Sequence, residues 1–276
     1  FDARAPLCRD ADRAGGDPVL LHLANWRIGD DEPDLLTDPL LPDGRLLDDL
    51  GQSRHRAWPT RTRAYDDLRQ HLHTQLADAA TRPAHPNRTR WGGDATRSLA
   101  PASGFFARHH DGKRWWLIDP DGGAFFSTGP DCVGPSIEAV VENMGLAAGA
   151  RADDPAIAPF THPHPAAGRI LNSLARNFHS VFGEDWRSAW ETITLSLLRQ
   201  WQMNTIGNWS DWRFAQRAGF AYVRPLNERF ERSPKLFRDF PDVFAPLFER
   251  DAADYARQLE PTRDDPAMLG DFLMNE

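Results

Sequence analysis

The chain has 276 residues, 41% of them apolar, which is enough for one large domain or two small ones around a sizeable core. Its 32 basic residues are outnumbered by 40 acidic ones, and the net charge of −8 argues against a nucleic-acid binder or an anionic-membrane binder, both of which need a basic field. No apolar run reaches the roughly 18 residues of a membrane span.

Two cysteines, Cys8 and Cys132, form neither a metal motif nor a disulfide framework, and a single bridge between them stays open. The chain starts at Phe1 with no initiating Met and no signal-peptide pattern, so it reads as a mature or partial chain. Ten tryptophans are many for this length, and their flat faces suit both cores and sugar rings.

Residues 1–57 are rich in Asp, Pro, Leu and Arg without a clear period, and read as an irregular or accessory segment. Leu68, Leu72 and Leu76 recur every four residues and predict a helix over 65–80. A Pro/Arg/Gly linker follows over 81–101. Two turns, Asp111-Gly112 and Pro120-Asp-Gly-Gly123, separate apolar runs and predict antiparallel strands. Helix, linker and hairpin make a second region over 58–123.

From residue 124 the rhythm changes. A long Pro- and Ala-rich insertion with some helix occupies 130–180. Trp186, Trp190, Ile193, Leu197 and Trp201 share one face of a helix over 185–202, as core packing rather than a sugar platform. Strands at about 124–133, 204–209, 220–227 and 268–276 alternate with helices over 211–218 and 240–259. Alternation of this kind predicts βαβ units on a parallel sheet. The expected fold is therefore α/β: about four βα units, the first half of a (β/α)8 TIM barrel over 124–276.

Each expected strand ends in polar residues: Asp131 and Cys132; Asn208, Trp209, Ser210 and Asp211; Asn227 and Glu228; Asn275 and Glu276. In an α/β barrel such tips converge on one rim. Ser210 and Asp211 precede a helix and read as its cap. Asn208, Trp209, Asp131 and Asn227 read as substrate contacts, Trp209 paving a sugar subsite. Glu276 follows an apolar strand. A carboxyl against apolar walls keeps its proton and can give it to a leaving oxygen, and Asn275 beside it can orient a hydroxyl.

Gly104-Phe-Phe, Trp115-Trp-Leu-Ile-Asp-Pro-Asp-Gly122, Phe125-Phe-Ser-Thr-Gly129, Leu198 through Asp211, Phe240-Pro-Asp-Val-Phe244 and Asp264 through Glu276 stand in this order. Over about 58–276 the chain thereby resembles the clan A glycoside hydrolases, and among them the agarase-like β-glycosidases. The resemblance implies retaining hydrolysis of β-glycosidic bonds in a polysaccharide or oligosaccharide, agarose or a related galactan, by a parent protein that is secreted or periplasmic. It implies Glu276 as acid/base and Asn275 as its orienting neighbour. No cofactor and no metal are expected.

The retaining mechanism pairs two carboxylates roughly 5–5.5 Å apart. The nucleophile belongs to a seventh strand, for which this sequence offers no residue. The expectation is then an incomplete chain that lacks the second half of its barrel. Asp271 and Met274 depart from the family pattern, which more often has an aromatic and a polar residue there. A non-catalytic carbohydrate-binding protein is the alternative. His162-Pro-His164 lacks a third ligand at useful spacing and reads as a solvated loop rather than a metal site.

Overall fold

The computed structural model describes residues 44–83, 85–227, 230–238 and 240–273, all within one compact unit, Asp38–Glu276. Helix α1 spans Tyr65–Thr81. Of its four-spaced leucines Leu72 is buried and Leu68 and Leu76 half-buried, and Asp66 and Asp67 sit in the first turn, where they complement the helix dipole.

A four-stranded antiparallel sheet follows, made of β1 (Asp94–Ser98), β2 (Ala107–His110), β3 (Trp115–Ile118) and β4 (Gly123–Phe125) in the order β1-β4-β3-β2. Both turn signals act as read. The Asp111 carboxylate accepts the N–H groups of Lys113 and Arg114, each at 2.9 Å, and the Trp116 indole N–H at 2.7 Å. Asp119, fully buried, accepts from the Thr89 hydroxyl at 2.6 Å and the Gly123 N–H at 2.9 Å.

Residues 130–180 hold more order than their composition suggests. β5 (Glu138–Val140), β6 (Thr161–His164) and β7 (Gly168–Asn172) form an antiparallel sheet, with a short helix α2 (Gly145–Ala148) between β5 and β6. Val141, Ile157 and Leu171 give it a small core of its own. The Asn172 side chain then caps α3 (Ser173–Phe182), accepting the Ala175 N–H at 3.0 Å.

Helix α4 (Trp186–Gln200) packs on α1 and α3. Trp190 and Ile193 are buried as the stripe predicts, but Trp201 lies past the last helical residue and is 60% exposed. Helix α5 (Trp212–Arg217), β8 (Tyr222–Pro225), a small antiparallel pair β9 (Lys235–Phe237) and β10 (Phe240–Pro241), helix α6 (Phe248–Ala256) and β11 (Met268–Phe272) complete the described chain. The helix expected over 240–259 is thus confined to its second half. The main core joins Trp190, Leu198, Ile206, Phe214 and Tyr222.

The expected half barrel of four βα units is not what the structure shows. Among the described residues the one parallel ladder is β8–β11, to which Ile206 adds a single parallel bridge at Tyr222, and no barrel closes. The stretch expected as the first strand divides: its start is β4 of the antiparallel sheet. Its remainder is an extended segment, 128–132, joined to 204–208 by separate backbone bonds, Thr205 N–H to Thr128 O at 3.0 Å, Gly207 N–H to Pro130 O at 2.9 Å and Cys132 N–H to Asn208 O at 2.8 Å. The physical reason is local. Pro130 has no N–H to give a ladder, and Cys132 and Trp209 both take left-handed backbone, with φ of 57° and 53°, which ends extended geometry.

Candidate functional site

Two of these irregular segments build a rim. On one side, Asp131 accepts the Asn208 N–H at 2.7 Å; on the other, the Ser210 hydroxyl oxygen accepts the Val133 N–H at 2.9 Å and the Asp211 N–H reaches Val133 O at 2.9 Å. Gly207 is needed for this approach, because a Cβ there would lie 2.0 Å from Asp131 Oδ1. The zipped bonds hold Trp209 in a left-handed conformation that costs a non-glycine residue about 1 kcal/mol or more. Its ring is left 51% exposed at the lip.

Neither Ser210 nor Asp211 caps α5 through its side chain. Ser210 is occupied with Val133, and the Asp211 carboxylate pairs with the Arg187 guanidinium of α4. Arg187 also approaches Glu191 at 3.8 Å, and Glu191 pairs with Arg217 at 2.6 Å, so Asp211 belongs to an ion-pair chain rather than standing free.

The rim opens on a cleft of about 490 Å³ that takes in Asn208, Trp209, Arg224, Asn227, Gln258 and Phe272, a size in the usual range for small-ligand sites. Asn208 is 2% exposed, and its side-chain carbonyl oxygen has no partner among the described residues. Orphaned acceptors of this kind are rare and costly in the absence of a ligand or water. Gln258 clamps the main chain of Asn227 reciprocally, accepting its N–H at 2.9 Å and donating to its carbonyl at 2.8 Å. Nothing in the sequence pattern pointed to Gln258, which lies in a 3-10 turn far from any strand tip.

Beneath the cleft, Arg224 lies over the Trp212 ring at 4.6 Å and donates to the Thr262 hydroxyl at 2.8 Å, while Tyr222 stacks on the same Trp212 ring at 6.0 Å between centroids. Burial lowers the Arg224 pKa, and Asp271, its neighbour in the β8–β11 register, partly restores it. Burial raises the Asp271 pKa, and its Oδ1 has no partner among the described residues.

The structure therefore brings Asp131, Asn208, Trp209 and Asn227 to one end of the extended segments. Asn275 and Glu276 lie outside the described residues, as do Glu228 and Cys8; Cys132 is exposed and free. His162 and His164 sit on β6, His162 3.5 Å from Glu138, and no group of three His, Cys, Asp or Glu side chains among the described residues is placed to hold a metal ion.

No family model matches the chain. Among curated proteins it is similar to β-agarase B of Vibrio sp. (strain JT0107), 23% identical over 84% of this chain and 28% of that protein. It is also similar to β-agarase A of the same strain, 28% identical over 45% of this chain and 14% of that protein. The chain is a distant relative of the β-agarases. It spans under a third of the length of either curated relative.

Solved structures agree on the fold. An agarase, AgWH50C, superposes with a TM-score of 0.70 at 20% identity, over 83% of this chain and 38% of the other. A structure described as an exo-β-agarase gives 0.66 at 20% identity, over 83% and 39%.

Proposed function

We propose that the cleft is a saccharide subsite and that the chain takes part in hydrolysing β-glycosidic bonds of a polysaccharide, agarose or a related galactan. The observation that carries this reading is Asn208: a buried carbonyl oxygen without a partner, beside a tryptophan held half-exposed at the lip. A sugar hydroxyl would satisfy the first and a sugar ring would cover the second. The curated relatives carry the name β-agarase, which supports a galactan as substrate.

In this reading Trp209 stacks on a ring, Asn208 accepts from a hydroxyl, Asn227 offers its side-chain amide, and Asp131 positions Asn208. Glu276 would serve as general acid/base with Asn275 orienting it, in a retaining mechanism that needs a second carboxylate about 5–5.5 Å away.

A second reading is binding without chemistry. The carboxylate that lines the cleft among the described residues, Asp211, is already paired with Arg187. Titration calorimetry of neutral agaro-oligosaccharides and a reducing-end assay separate the two. The isolated chain should show no turnover, because no residue in it stands in for the nucleophile; in a longer chain that carries the nucleophile, hydrolysis abolished by Glu276→Gln with affinity unchanged supports the enzyme. Binding with no turnover in that longer chain, indifferent to Glu276→Gln, supports the binding module. Absence of binding sinks both.

A further inference from the structure

A second groove, of about 760 Å³, lies at the opposite end of the same extended segments. The cleft takes Asn208 and the C-terminal residues of β8 and β11, while the groove takes Asn204, Phe220 and Ala221. Four residues at ~3.3 Å each put roughly 13 Å between Asn204 and Asn208.

The groove's charge is one-sided. Arg82, Arg88, Arg90, Arg199 and His85 line it, and no carboxylate among the described residues does, in a chain whose net charge is −8. Arg82 and Arg199 have no carboxylate partner among the described residues, while Arg88 feels the Asp94 carboxylate across an isolated β-bridge without a direct ion pair. Arg82 donates to the Ser196 hydroxyl at 2.9 Å, Arg88 donates to Gly92 O at 2.9 Å, and Arg199 lies over the Phe220 ring at 5.5 Å. Arg90 pairs with Asp121 at 3.2 Å, outside the groove lining. Partial desolvation lowers the Arg199 pKa, with no anion among the described residues to offset it.

A cluster of one sign attracts a counter-ion, since neighbouring guanidiniums repel one another. Guanidinium forks match planar or tetrahedral oxyanions and bind them bidentately. Met203, Pro83 and Pro86 add apolar lining beside the charges. Volume, charge and apolar wall together fit an oxyanion carried on a ring of sugar size.

We infer that this groove binds an acidic saccharide, a sulfated or carboxylated sugar chain, at a site separate from the neutral-sugar cleft. The inference takes its saccharide from the proposed function, while the anionic character rests on the groove alone. An acidic chain held there would keep a polymer on the protein while the cleft engages a neutral stretch of it.

The test is titration calorimetry on the full chain with a sulfated galactan oligosaccharide and its desulfated counterpart, at two salt concentrations. The sulfated form should bind at least about tenfold more tightly at low salt, and its affinity should fall linearly in log–log salt. Arg199→Gln should weaken it several-fold and Arg199→Lys less. Arg82→Gln together with Arg199→Gln should abolish the sulfate preference, with far-ultraviolet circular dichroism unchanged. Trp209→Ala should leave sulfated binding intact, which distinguishes loss of the cleft from loss of the groove. Equal affinity for the two oligosaccharides would overturn the proposal, as would a preference that survives both Arg substitutions. Tighter capture of a short duplex DNA than of the sulfated oligosaccharide would overturn the assignment to a saccharide. If a carboxylated oligosaccharide of equal charge binds as well as the sulfated one, that supports recognition of an oxyanion on a sugar.

Discussion

The Asp131 carboxylate accepts the main-chain N–H of Asn208 at 2.7 Å, and through that bond one irregular segment fixes the rim residue of the next. Asp131→Ala should leave a buried N–H unpaired and cost roughly 1–3 kcal/mol. Asp131→Asn keeps an acceptor and should cost less. Gly207→Ala should mimic the alanine variant, because its Cβ would lie 2.0 Å from Asp131 Oδ1. Urea unfolding measures the stability. Oligosaccharide titration measures the affinity, which should fall with it.

Trp209 should separate binding from stability. Its ring is half-exposed and its backbone left-handed, so Trp209→Gly relieves strain while removing the platform. The variant should keep the wild-type urea midpoint and bind neutral agaro-oligosaccharides about tenfold more weakly, the size of one lost stacking contact. An affinity unchanged by this substitution would remove Trp209 from the site.

Asn204 is a structural pin. Its amide nitrogen donates to Gly92 O and Phe126 O, both at 3.0 Å, and its oxygen accepts the Thr128 N–H at 2.9 Å. Asn204→Ala should orphan Phe126 O and the Thr128 N–H, while Gly92 O keeps its bond from Arg88, and should cost roughly 2–3 kcal/mol. Asn204→Asp keeps the acceptor, loses both donations and buries a charge, so it should be no better at neutral pH. Thermal unfolding of both variants checks this.

Two carboxylates should shape the acid limb in opposite senses. Burial alone would raise the Asp251 pKa, but the Ser233 hydroxyl and N–H and the Arg232 guanidinium outweigh it and hold it below the ordinary 3.8. Its stabilisation is complete above the unfolded pKa and is lost as pH falls through the folded one. Asp251→Asn should therefore lower stability at pH 7 and flatten the loss below about pH 4.

Asp271 has the reverse sign. Burial lifts it above 3.8 and Arg224 only partly opposes this, so the folded state keeps the proton longer than the unfolded chain does. Stability then falls as pH rises from 3.8 through the folded pKa. Asp271→Asn should be more stable than the parent at pH 7, and the advantage should vanish below about pH 4. Urea midpoints across pH 3–7 compare the two variants directly.

The sequence by itself determined what depends on neighbours along the chain. Period-four leucines gave α1, Asp-Gly and Pro-Asp-Gly-Gly gave the hairpins of the first sheet, and the polar ends of apolar runs marked Asp131, Asn208, Trp209 and Asn227. The agarase resemblance was likewise legible in short ordered stretches.

Tertiary structure decided what depends on distant pairing. Apolar runs say that a segment is buried, but not whether its N–H groups meet a ladder. Pro130, Cys132 and Trp209 broke the expected parallel strands into single bonds, and β5, β6 and β7 paired within a stretch whose composition suggested no sheet. Ser210 and Asp211 were drawn from a helix cap to Val133 and Arg187, Gln258 entered the cleft from a remote turn, and scattered arginines of a linker and a helix end converged on one groove. The β6–β7 hairpin pairs residues four to ten positions apart, but the Ser210, Asp211, Gln258 and arginine placements rest on contacts between residues tens of positions apart, which no local spacing encodes.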